Sequence, residues 1–306
     1  MKFFNGCKGC LTFLALLGWL NQPPSPAKDS TGESVVPLVI IAGQSNAVGF
    51  DTLTGELAAD TADARIDFWW RCGDPPPDEH DSTSGGKWTH LQPQPRGNPL
   101  STGDRQYGNF HYPEGGFGPE FGLARTLFHQ DGKPLAVIKV AWSGTSLAAD
   151  WNAVREDGLC YQALLRELKT AMIAAQARGI HLRPRAFVWV QGESDATSAD
   201  APRYAASLKA MLAGLRKELN TPDLPAFLGL NTRFGATSGG PVMPMVAAVV
   251  QAQQAVASSD KRCVYVNTEG AELANGAHFD SAGTLEVGRR YARAILDYER
   301  MPVVGK

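Results

Sequence analysis

Four short polar clusters in this chain carry residue types suited to acyl transfer. Gly43-Gln44-Ser45-Asn46 follows the apolar run "VVPLVIIA", and Ser143-Gly144-Thr145 follows "LAVIKVAW". Gly192-Glu193-Ser194-Asp195 follows "RAFVWVQ", and Asn275-Gly276-Ala277-His278 precedes the last helix-period segment. A serine at a strand-to-helix turn holds its hydroxyl over the sheet edge and its N–H beside the positive end of a helix, where an oxyanion is stabilised. Ser45 occupies such a position, although the same residue type also serves as a plain helix cap. His278 lies in a Gly-containing loop expected at the same edge, and an imidazole, with an ordinary pKa of about 6.5, can take a serine proton near neutrality. The other histidines, His80, His90, His111, His129 and His181, fall in a long loop, near a helix end or before a strand. No Gly-x-Ser-x-Gly pentapeptide surrounds Ser45, so the α/β-hydrolase elbow is not indicated.

These clusters can meet only if the segments between them lead to one edge. Besides the first run, "RIDFWW" from Arg65, "LAVIKVAW" from Leu135, "RAFVWVQG" from Arg185, "PAFLGLNT" from Pro225 and "CVYVNT" from Cys263 are short, continuous and rich in β-branched and aromatic residues. Strands covered on both faces read this way. Helix-period segments at 118–129, 161–177, 201–219, 242–258 and 281–298 alternate with them. The alternation predicts one α/β domain over residues 28–306, a mainly parallel sheet between helical layers. In such a sheet ligands bind outside the carboxyl ends of the strands, where the polar clusters fall. Residues 72–118 break the pattern: they are Pro- and Gly-rich and far longer than the usual connection of about 4–6 residues. Their Trp88, Tyr107, Phe110 and Tyr112 can stack on sugar rings or tuck the loop onto the body. Asp78, Glu79 and Asp81 in the same loop read as a solvated charge cluster, and no metal site is expected.

The formal charge of −2 provides no basic footprint for nucleic acid and no block of like charge for a membrane surface. Neutral small molecules and sugars remain as partners. Lys2 and Lys8, the apolar stretch 11–20 and Ser25-Pro26-Ala27 read as a signal peptide over residues 1–27, directing the chain to the periplasm or outside the cell. That stretch is too short for a membrane anchor, which needs about 20 apolar residues. Cys7 and Cys10 would leave with the signal. Cys72, Cys160 and Cys263 remain, an odd number that permits at most one internal disulfide.

Taken together these blocks resemble the SGNH hydrolase superfamily, and within it the carbohydrate esterases of family six and the sialate O-acetylesterase domain. "GQSNAVG" resembles the nucleophile block, "GFGPEFGLARTL" the second-strand lead-in, and "VAWSGTSLAADW" the Gly-Gly-Thr block, with Ser143 where glycine is usual. "VWVQGESD" resembles the Gln-Gly-Glu block, "VVQAQQ" the helix before the last strand, and "HFDSAGTLEVGRRYA" the histidine block. The resemblance implies a flavodoxin-like, three-layer α/β/α sandwich that removes acetyl groups from sugars by a serine mechanism without a cofactor. It implies Ser45 as nucleophile, His278 as base, and an oxyanion hole of the Ser45 and Gly144 N–H groups with Gln191. Acetylated xylan, the acetylxylan esterase substrate, and O-acetyl sialic acid are the carbohydrates it suggests.

One position departs from that pattern. Much of the superfamily has an aspartate three residues before the histidine, and here Asn275 stands there. Glu193 is the first candidate for the missing acid, with Asp195 and Asp280 behind it; a structural role for Glu193 is the alternative. Gln44, Asn46, Trp142, Thr145, Trp151 and Asn275 are candidate substrate contacts by position. Two other readings stand beside the esterase: a noncatalytic glycan-binding protein on the same fold, and an esterase of other small acyl esters.

Overall fold

Residues 34–73, 82–97, 110–235 and 243–301 are described in the computed structural model. The expected signal peptide, Asp78, Glu79, Asp81 and Tyr107 lie outside them. In β1 (Ser34–Gly43) the two-residue alternation sends Val36, Leu38, Ile40 and Ala42 to one apolar cluster and Val39 and Ile41 to another. A strand with two apolar faces requires cover on both. The same holds for β5 (Leu135–Trp142), which is buried along its whole length.

Four further strands complete the parallel sheet: β2 (Ile66–Gly73), β6 (Ile180–Val190), β7 (Ala226–Gly229) and β8 (Cys263–Tyr265), in the order β2-β5-β1-β6-β7-β8. Two short strands, β3 (Ser82–Thr83) and β4 (Thr89–His90), pair antiparallel with β2. Helices α2 (Glu120–Asp131) and α6 (Ser281–Arg300) cover the face of Val39. The other face is covered by α3 (Leu159–Gln176), α4 (Tyr204–Glu218) and α5 (Val246–Ser259). This is the expected three-layer α/β/α sandwich with a mainly parallel sheet.

Two departures from the sequence reading have local causes. β6 begins at Ile180 rather than Arg185, and the register with β1 slips between Leu38 and Val39, so that Pro184 pairs with Leu38 and Ala186 with Val39. Proline lacks the N–H that a regular ladder needs, and a bulge accommodates it. The helix expected at 201–219 is a 3₁₀ turn, Ala201–Arg203, followed by α4, because Pro202 stands at its start. The thiols are buried on opposite faces, Cys72 on one and Cys160 and Cys263 on the other. No helix among the described residues is long and apolar enough to cross a membrane.

β1 lies between β5 and β6, and the chain passes from β5 over β1 to β6. Connections leave the two sides of β1 in opposite directions, which opens a crevice at the carboxyl ends. Gly43 at the end of β1 is level with Ala141 of β5 and Val190 of β6. Three of the polar clusters therefore start at the same height.

Candidate active site

The Ser45 turn begins at Gly43, whose φ of +149° and proximity to β6 require glycine: a Cβ there would lie 2.0 Å from the Val190 carbonyl oxygen. The Gln44 N–H donates to that carbonyl at 3.1 Å, and a single turn of helix, α1 (Ser45–Val48), follows. Ser45 is the first residue of α1 and 5% exposed. Below it, the fully buried Lys139 ammonium donates to the Val48 carbonyl at 2.7 Å, to Gln94 Oε1 at 2.7 Å and to Glu120 Oε1 at 3.1 Å. An ion pair this deep is costly unless its remaining partners are supplied, and here they tie the Ser45 turn to the long loop.

Asn46 brings the histidine to this turn. Its Nδ2 donates to the Ala277 carbonyl at 3.0 Å, and its Oδ1 accepts from the Phe279 N–H at 3.0 Å, so the side chain grips the backbone on both sides of His278. The His278 ring packs 4.7 Å from that of Phe50. Its Nδ1 lies 2.6 Å from Asp51 Oδ2. A carboxylate only accepts, so the ring donates from Nδ1 and keeps the lone pair on Nε2, the tautomer a general base needs.

Asp51 reaches this position because α1 is only one turn long and the chain folds straight back: the N–H groups of Gly49 and Phe50 both donate to the Ser45 carbonyl. Asp51 is 4% exposed and has three donors, His278, Asn275 Nδ2 at 2.7 Å, and His111 Nδ1 on its other oxygen. Burial acts to raise the Asp51 pKa, but the hydrogen bonds from His278, His111 and Asn275 and the His278 charge outweigh it and lower the value to about 2. Asn275 Oδ1 also accepts from the N–H groups of Ala277 and His278, at 2.8 and 3.0 Å. It thus orients the histidine loop while Asp51 supplies the charge.

Glu193, the carboxylate expected behind the histidine, faces elsewhere. Its Oε1 accepts from Asn46 Nδ2 and the Asn231 N–H, both at 2.8 Å, and its buried Oε2 has no hydrogen-bond partner among the described residues. No hydrogen bond joins it to His278 among the described residues. Burial raises its pKa against the opposing pull of those donors. Asp195 accepts from the Leu147 and Ala148 N–H groups at 2.8 and 2.9 Å and so fixes the loop after β5. Asp280 caps α6 through the Gly283 N–H at 2.7 Å.

Gln191 is displaced from the expected oxyanion role. Both amide hydrogens are engaged, with the Thr145 carbonyl at 3.1 Å and Asp195 Oδ2 at 2.5 Å, and Oε1 accepts from the Tyr204 hydroxyl at 2.9 Å. The N–H groups of Ser45 and Gly144 donate to no other group among the described residues, and Gly144 is solvent-exposed at φ +69°. Trp142 and Trp151 are fully buried, with ring centroids 5.5 Å apart, and Trp151 Nε1 donates to Thr145 Oγ1 at 2.8 Å. These three residues are core and offer no face to a sugar. Gln44 is also turned inward, its Oε1 accepting from the Ser194 N–H at 3.1 Å.

The long-loop aromatics divide in the same way. Trp88 donates to the Ala171 carbonyl at 2.9 Å and Phe110 is fully buried over Lys139, so both tuck the loop onto the body. Tyr112 stacks on His111 beside Asp51. Asp51 and His111 carry no expectation from the sequence. For Asp51 the available signal is a lone carboxylate inside the segment "SNAVGFDTL" that starts at Ser45; for His111 there is none beyond its place in the loop. No group of three His, Cys, Asp or Glu side chains among the described residues could hold a metal ion.

A model of the carbohydrate esterase, sialic acid-specific acetylesterase family matches residues 35–297. No curated protein matches the chain. Among solved structures, a protein of Arabidopsis thaliana is 18% identical at a TM-score of 0.60, the alignment covering 85% of this chain and 98% of that one. The protein NanS is 18% identical at 0.56, covering 87% and 98%. A carbohydrate acetylesterase of Xanthomonas citri is 19% identical at 0.54, covering 84% of this chain and 55% of the other. These likenesses are of fold. The family match is of sequence and runs from β1 into α6, and on it the chain belongs to the carbohydrate esterases of the sialic acid-specific acetylesterase family.

Proposed function

We propose that this ester hydrolase is an exported carbohydrate O-acetylesterase in which Ser45 is the nucleophile, His278 the general base and Asp51 the carboxylate behind the base. The observation that carries the reading is the 2.6 Å contact between His278 Nδ1 and the buried Asp51. It leaves Nε2 free to work on the serine turn that Asn46 holds against the histidine loop. Ser45 Oγ attacks the acetyl carbonyl carbon as His278 Nε2 takes its proton, and Asp51 stabilises the imidazolium. The carbonyl oxygen, now an oxyanion, accepts from the Ser45 and Gly144 N–H groups. Each such donor is worth about 3 kcal/mol when removed from a preorganised site. Collapse expels the sugar oxygen, which His278 protonates. Water, deprotonated by the same imidazole, then releases acetate from Ser45.

The family's description supports O-acetyl sialic acid as substrate, and the Xanthomonas citri neighbour's description as a carbohydrate acetylesterase supports acetylated sugars more broadly, acetylated xylan among them. The N-terminal pattern of basic, apolar and small residues supports export. Acetate release from O-acetyl sialic acid and from acetylated xylan, by purified parent and Ser45→Ala protein, tests the activity. Release by the parent alone is expected. Equal release by the variant, or retained binding of both glycans with no release, would overturn the serine mechanism.

A further inference from the structure

We infer that His111 is a positioning residue that shares the Asp51 carboxylate with His278 and thereby sets how strongly that carboxylate favours the His278 imidazolium. The inference rests on the Ser45–His278–Asp51 reading. The two imidazoles divide the carboxylate, Nδ1 of His111 on Oδ1 and Nδ1 of His278 on Oδ2. The approach of His111 is built into the fold: its N–H donates to the Phe50 carbonyl at 2.9 Å, and its ring stacks on Tyr112 with centroids 4.7 Å apart and planes 8° from parallel. Its side chain is nonetheless 58% exposed, against 18% for His278.

A donor on one carboxylate oxygen reduces the negative charge available at the other, so His111 holds the proton affinity of His278 down even when neutral. As pH falls, two rings on one carboxylate charge in separate steps. Removing the His111 donor leaves the whole carboxylate charge to His278, which is what the variants below test. Among the described residues, the titratable groups shown against the pair are Glu193, whose charge interacts with His278, and Tyr112, whose phenol ring lies on His111; Phe50 and Asn275 also touch it and carry no charge.

The pH dependence of kcat/KM on an aryl acetate tests this with parent, His111→Phe and His111→Gln. Phenylalanine keeps a ring for Tyr112 but neither donates nor charges, whereas glutamine donates without charging. The acid limb is expected to move up by roughly 1 pH unit in His111→Phe and by less in His111→Gln. Lower activity with the acid limb unmoved in both variants would reduce His111 to a structural prop and overturn the inference. Titration of the His278 ring nitrogens by NMR, in parent and His111→Phe, gives the same answer without turnover. An inactive parent would therefore count against the esterase reading alone, while an unshifted His278 titration would count against His111.

Discussion

Two buried carboxylates flank the His278 loop, and their partners set them apart. Asp51 is 4% exposed and Glu193 2%, but Glu193 lies deeper in the protein and carries the larger burden of desolvation. Asp51 has two imidazoles and an amide as donors, and its pKa is lowered to about 2. Glu193 has an amide and a backbone N–H on one oxygen, no hydrogen-bond partner on the other among the described residues, and its pKa is raised. Depth of burial and the number of donors both favour charge on Asp51 and oppose it on Glu193. A carboxylate held low is still ionised when an imidazolium forms beside it. A carboxylate held high suits the joining of backbone segments.

The sharpest way to break this contrast is to neutralise each acid without changing its shape. In a serine protease triad the Asp-to-Asn change costs about 10⁴-fold in kcat. Asp51→Asn is expected to approach that loss while remaining folded. Glu193→Gln is expected to keep kcat within about 10-fold, because an amide oxygen can still accept from Asn46 and Asn231. Turnover of an aryl acetate with circular dichroism on each variant checks both. Were the larger loss to fall on Glu193→Gln, the roles assigned to the two carboxylates would be reversed.

A smaller effect comes from moving the charge by one residue. Asn275 Nδ2 is 2.7 Å from Asp51 Oδ2, so Asn275→Asp sets two carboxylates against each other, and one must hold a proton. Activity near neutral pH should fall by about 10-fold, with loss of the amide bond to Asp51. Combined with Asp51→Asn, the same change returns a single negative charge beside the His278 ring. The double variant should recover at least about 10-fold over Asp51→Asn alone, a coupling that a double-mutant cycle measures directly. Strict additivity would mean that the two positions do not share one imidazole.

The layers, and the edge at which the polar clusters gather, are legible because they depend on local pattern. Alternating apolar runs force a covered sheet, and the crossover at β1 then brings the polar ends of β1, β5 and β6 together. Asp51 is not legible: Gly49 marks the end of α1, but nothing in "AVGFDTL" shows that the chain then folds back to set Asp51 against a ring more than 200 residues away. Gln191, Trp142 and Trp151 turn inward for a reason their own segments do not carry. Each lies at a strand end or just beyond it, where position suggests a ligand, but the direction of a side chain there depends on neighbours far away in the sequence. Tyr204 on α4 claims Gln191, and Trp189 on β6 packs at 5.1 Å against Trp151. The bulge at Pro184 was visible as a proline but not as a register shift.

Acid stability separates the two carboxylates by sign. The Asp51 pKa is about 2 in the folded chain against an ordinary 3.8. A group depressed in the folded state stabilises above its unfolded value, and that contribution drains away as pH falls through its folded value. The difference corresponds to about 2 kcal/mol at neutral pH, lost between roughly pH 4 and pH 2. Glu193 runs the other way, since a raised folded pKa makes stability fall as pH climbs above the ordinary value of 4.5. In urea unfolding series from pH 2.5 to 7, the parent should therefore lose its advantage over Asp51→Asn toward the acid end. Relative to Glu193→Gln it should instead lose ground as pH rises from about 4.5. Parallel pH curves for all three proteins would mean that neither carboxylate titrates differently on folding, and the contrast between them would reduce to geometry.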